Sequence, residues 1–81
     1  MHAALKLVGE RLPRVQEETA LLLERDELFR ELCDEYVICA QVATRLAGSP
    51  DVNGPVHKEY EILRLRLEAE LLRYLAEHPE A

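Results

Sequence analysis

The chain has 81 residues, of which 48% are apolar and 32% charged, and ten Lys and Arg against sixteen Asp and Glu give a formal charge of −6. A chain of this size buries roughly 60–65% of its unfolded surface, enough for one small domain. A disulfide scaffold, a collagen-like chain and a large enzyme with an enclosed cofactor site are all excluded. The predominance of Leu, Ala, Glu and Arg, with Phe29, Tyr36, Tyr60 and Tyr74 as the sole aromatics, is a helix-rich composition.

In chain order, Gly9 and Pro13 are the first breakers, and a helix is expected over about 13–24, carrying Val15, Ala20, Leu21, Leu22 and Leu23. The cluster Glu24-Arg25-Asp26-Glu27 marks a weak point or bend. A longer helix follows over about 26–47. In it Phe29, Leu32, Tyr36, Cys39, Ala43 and Leu46 recur at alternating steps of three and four, the a and d positions of a heptad seam. Leu28, Cys33, Val37 and Ala40 widen that apolar face.

Residues 48–55 form the interhelical loop and hold two of the three glycines and two of the four prolines. Gly48 suits a helix C-cap and Pro55 the first turn of the next helix. That helix is expected over about 56–78, with Pro79 ending it. At about 100° per residue, Val56, Tyr60, Leu63, Leu67, Leu71 and Tyr74 fall on one side. Ile62, Leu65, Ala69, Leu72 and Ala76 fall on nearly the opposite side. A hairpin helix facing water needs one apolar stripe; two stripes call for two neighbours.

The fold expected is therefore all-α, a single helical domain over 1–81. It is a long antiparallel hairpin (about 26–47 and 56–78) with an added N-terminal helical segment (about 13–24) and coiled-coil-like packing. Phe29, Leu32, Tyr36, Leu63, Leu67 and Tyr74 are the candidate hairpin seam. Ile62, Leu65, Ala69 and Leu72 are the candidate partner or oligomer contact. A rod of residues 56–78 is roughly 35 Å long and, folded back, reaches only to about residue 25. The first two dozen residues overhang it. They either fold back as a third helix or reach a second copy of the chain.

Charge and spacing limit the chemistry. The basic residues are scattered, and many sit three or four positions from an acid, as in Asp26 with Arg30, Arg66 with Glu70, and Glu70 with Arg73. These read as helix-surface pairs rather than a phosphate-binding stripe, so no nucleic-acid partner is expected. The longest apolar run, residues 36–40, falls far short of the roughly 20 residues of a membrane span. No secretory leader is expected at the N-terminus. Cys33 and Cys39 point apart on one helix and cannot bridge each other, and two unpaired thiols suit a reducing compartment, so a cytoplasmic location is expected. As side chains, both read as packing residues rather than redox sensors.

His2, His57 and His78 lack the spacing that aims two imidazoles at one metal, so no metal or other cofactor is expected. Glu17 with Glu18, Glu59 with Glu61, and Glu68 with Glu70 point apart on a helix. With Glu27, Glu31 and Glu35 they read as solvated surface. There is no phosphate loop or nucleophile elbow. A small all-helical mutase would need its arginines converging on an anion, and Arg64, Arg66 and Arg73 do not share a face. No enzyme is expected.

The run Phe29-Arg30-Glu31-Leu32-Cys33-Asp34-Glu35-Tyr36, then Arg45-Leu46, a short polar loop and Glu61-Ile62-Leu63-Arg64-Leu65-Arg66-Leu67-Glu68-Ala69-Glu70-Leu71, resembles the YdcH-like family of small bacterial proteins. The resemblance covers about residues 26–75 and implies a short helical hairpin of unknown function, with no catalytic residue to carry over. Tyr36 stands where that family commonly has His, and Lys is scarce in the last helix. The function expected is a non-enzymatic protein that acts by self-association, a homodimer first. The alternative is a regulator or adaptor that docks a larger protein through the second face of helix 56–78.

Overall fold

The computed structural model describes residues 2–48 and 54–79, and these are all-α. Four α-helices follow one another: α1 (Ala3–Arg11), α2 (Gln16–Arg25), α3 (Glu27–Ala47) and α4 (Pro55–Glu77), with a single 3₁₀ turn at Pro13–Val15 between the first two. The loop residues 49–53 lie outside the described residues; on its near side Gly48 closes α3, its N–H donating to the Arg45 carbonyl at 3.2 Å. On its far side Pro55 opens α4 where its missing N–H costs nothing.

The N-terminal third holds the expected helical segment and one helix more. The helix expected over about 13–24 is a 3₁₀ turn followed by α2, and a separate helix, α1, precedes it. Pro13 is the break, because its ring and missing N–H cannot sit inside a helix. Gly9 is not a breaker. It lies within α1, where its missing side chain admits the Gln16 carboxamide: a Cβ there would stand 2.4 Å from Gln16 Nε2. Gln16 Nε2 in turn donates to the Leu5 carbonyl at 3.0 Å, which folds α2 back along α1. His2 caps α1, its Nδ1 accepting from the Ala4 N–H at 3.0 Å. That leaves the proton of a neutral imidazole on Nε2, 2.6 Å from Asp34 Oδ1 on α3.

The bend expected near residue 26 is a one-residue hinge at Asp26, held by hydrogen bonds. Asp26 adopts an extended backbone (φ −122, ψ 111), closes α2 through its N–H to the Leu22 carbonyl at 2.8 Å, and opens α3 by accepting the Phe29 N–H on its carboxylate at 3.0 Å. Arg30 does not pair with Asp26. Its guanidinium donates twice to the Leu23 carbonyl, at 3.1 and 2.9 Å, covering the end of α2. The second Asp26 oxygen accepts from the Tyr74 hydroxyl at 2.6 Å, tying the end of α4 to this corner.

Packing follows from these ends. α3 and α4 form the antiparallel hairpin, and α1 and α2 fold back onto α3 within the same chain. The result measures 43 × 22 × 21 Å. Val8 of α1, Leu22 of α2, Phe29, Cys33 and Tyr36 of α3, and Leu71 of α4 are buried together. Leu71 is 1% exposed, so Leu71→Ala should leave a cavity and cost about 3 kcal/mol. Urea unfolding followed by circular dichroism should show the midpoint drop accordingly.

Candidate functional site

One charged side chain is buried beside the apolar core. Glu68 on α4 is 7% exposed. Its carboxylate accepts from Arg11 Nε at 2.8 Å and Arg11 Nη2 at 3.2 Å, and from the Tyr36 hydroxyl at 2.7 Å. One side chain thus joins α1, α3 and α4. Arg64, one turn earlier on α4, places its Nε 3.7 Å from the same carboxylate. Burial opposes ionisation of Glu68, but the Arg11 and Tyr36 hydrogen bonds and the two guanidinium charges outweigh it and hold its carboxyl below the ordinary value. Burial, then the bond to Glu68, push the Tyr36 hydroxyl up to about 12.

The carboxylate is satisfied, while the buried Arg64 Nε has no hydrogen-bond partner among the described residues. Both carboxylate oxygens are hydrogen-bonded within the chain, so what it does is hold three segments together. The sequence reading put Glu68 on the solvated surface, and that is corrected here. A buried tyrosine at a seam position needs a partner for its hydroxyl, and that requirement was the available signal.

Other reactive side chains are likewise quiet. Cys33 and Cys39 are both free and buried. Burial, with the nearby Asp34 charge, pushes the Cys33 thiol up to about 12, and burial also raises Cys39, whose sulfur faces the Tyr60 carbonyl at 3.5 Å. His57 Nε2 stands 3.5 Å from Glu61 Oε2. His78 stacks on Tyr74 with ring centroids 4.1 Å apart. Among the described residues no three His, Cys, Asp or Glu side chains converge on a point that could hold a metal, and no helix is long and apolar enough to cross a membrane.

The surface is where apolar chemistry is left over. Of the candidate seam, Phe29, Tyr36 and Leu67 are buried, and Leu32 and Tyr74 are half-buried against the core. Phe29 and Tyr74 are in ring contact at 5.3 Å. Leu63 differs: it is 41% exposed at the rim of a shallow groove with Ile38, Tyr60 and Leu67. The buried residues of α4 are Leu67, Glu68, Leu71 and Leu75, and Arg11 of the folded-back N-terminal segment meets Glu68 on that flank. Leu75 fell on neither stripe of the sequence reading and is buried all the same.

The candidate contact residues stay uncovered within the chain. Ile62 is 53% exposed, Leu65 58% and Leu72 41%, and Ala69 between them is exposed. Leu72 edges a hollow made with Arg11, Leu12, Pro13, Arg14 and Val15, so the N-terminal segment reaches the border of this stripe without closing over it. Compared with known proteins, the chain matches no family model, no curated protein and no solved structure.

Two predictions test the polar centre. Arg11→Ala strips Glu68 of its principal counter-charge and should cost about 2 kcal/mol, less than for a fully buried pair because the Arg11 side chain is 37% exposed. Tyr36→Phe removes one hydrogen bond and should cost about 1 kcal/mol; chemical denaturation measures both.

The pH profile is a third test. Glu68 and Asp26 have folded pKa values below their ordinary 4.5 and 3.8, so their stabilisation is complete above those values and is lost as pH falls through the lower folded ones. Cys33 and Tyr36 are raised from 9.0 and 10.0 to about 12, so their contribution is complete below the ordinary values and is lost as pH rises toward 12. Stability measured against pH should therefore be flat from about 5 to 9 and fall on both sides. Glu68→Gln should make the acid side shallower, leaving the part due to Asp26.

Proposed function

We propose that the protein is a non-enzymatic helical interaction module whose working surface is the outer face of α4, and that it acts by self-association. The observation that carries this reading is the exposure of Ile62, Leu65 and Leu72 on one stripe of a helix whose opposite side is already buried. Water-exposed aliphatic side chains in a continuous row are what a helix presents to another helix. The closed hydrogen bonding of Glu68 and the raised thiols support a structural use of the reactive groups. The acidic balance of −6 weighs against a nucleic-acid partner, and two free thiols suit a cytoplasmic location.

A second reading, an adaptor that docks a larger protein through the same face, draws support from a separate feature. Ile38 is 62% exposed beside Leu63 on the α3–α4 groove, apolar surface that one face-to-face contact along α4 leaves open.

Size-exclusion chromatography with light scattering tests the leading reading. The mass should rise above the monomer's 9.3 kDa with concentration, and Leu65→Glu should return it to the monomer while circular dichroism stays helical. A wild-type chain that remains at 9.3 kDa throughout would reject self-association. If Leu65→Glu unfolded the chain, the separation of α4 into an inner and an outer face would be wrong.

A further inference from the structure

We infer that the outer face of α4 docks on the same face of a second copy of this chain, antiparallel, about a two-fold axis near Leu67. This rests on the contact reading above and adds the partner, the direction and the register. Ile62, Leu65, Ala69 and Leu72 are spaced three, four and three apart, a pattern that reads the same in both directions. An antiparallel copy therefore matches it layer for layer, Ile62 against Leu72 and Leu65 against Ala69, with the small Ala69 receiving the larger Leu65. The stripe ends at Lys58 and Ala76, where a layer can meet water.

Charge selects this arrangement. Glu59, Arg66 and Arg73 follow each other at seven-residue steps along one edge of the stripe, and all three are exposed. In an antiparallel pair, like edges face each other. Glu59 of each copy then lies beside Arg73 of the other, offset by about 3 Å along the axis. Neither Glu59 nor Arg73 has an ion-pair partner in its own chain among the described residues.

The competing arrangements are worse. A parallel pair stacks Ala69 on Ala69 and leaves a gap. It would also need Glu61 and Glu68 as its acidic edge, yet Glu61 lies 3.5 Å from His57 and Glu68 is bound to Arg11 and Tyr36. Sliding the antiparallel copies by one heptad either opposes Arg66 to Arg73 or places Lys58 in an apolar layer and uncovers Leu72. The favoured register has two like-charge elements near the axis: on one edge Glu68 faces its own copy, each balanced by Arg11 of its own chain, and on the other Arg66 faces its own copy without such a partner, so Arg66→Gln should tighten the dimer.

Sedimentation of the full chain from about 10 µM to 1 mM covers the range expected of so small an interface. Glu59→Arg and Arg73→Glu should each raise the dimer Kd about tenfold by opposing like charges twice. Glu59→Arg/Arg73→Glu together should restore the wild-type Kd, and an equimolar mixture of the two single variants should form the heterodimer. If Leu65→Glu dissociates the dimer while the charge variants leave it unchanged or simply add, the register is overturned and the contact reading stands. A dimer indifferent to Leu65→Glu overturns both. A chain that stays monomeric through the whole range overturns the second copy as the occupant and leaves a different protein as the partner.

Discussion

A single buried carboxylate organises this chain. Glu68 is enclosed on α4, and a bare charge there would be too costly to keep. Arg11 must come in from α1 and Tyr36 from α3 to satisfy it. That requirement draws the N-terminal segment onto the hairpin at one defined position. Apolar burial alone, through Val8 and Ala4, would hold α1 against α3 with little to say about where along the rod it stops. The second tie, Tyr74 to Asp26, does the same at the other end by joining the tail of α4 to the α2–α3 corner.

Where Glu68 lies on α4 also decides what remains exposed. It flanks the buried arc, so the segment recruited by it reaches the edge of Leu72 but not Leu65 or Ile62. Had the N-terminal segment crossed the outer stripe, the chain would have hidden its own surplus of aliphatic side chains. Instead the surplus is presented outward in heptad order. The proposed role in protein contact is therefore a consequence of how the core is closed and not an independent decoration.

Much of the hairpin was legible in the sequence, because heptad spacing, Gly48 and Pro55 each act locally. The break at Asp26 was legible for the same reason: a charged cluster interrupts a seam, and an aspartate can end one helix and start another. The two stripes of α4 also followed from periodicity alone. What escaped depends on tertiary partners. Gly9 reads as a breaker until Gln16 is seen lying across it. Glu68 reads as surface until Arg11, fifty-seven residues away in sequence, is placed beside it. Leu63, expected in the seam, is exposed, and Leu75, on neither expected stripe, is buried, because the packed arc of α4 depends on its neighbours in space as well as on its own periodicity.

Native-state hydrogen exchange of wild type and Glu68→Gln tests the organising role of this carboxylate most directly. Loss of the carboxylate charge should release α1, so that the amides of Ala3–Arg11 exchange quickly while those of α3 and α4 keep their protection. Unchanged protection in α1, or a uniform loss across all four helices, would contradict it.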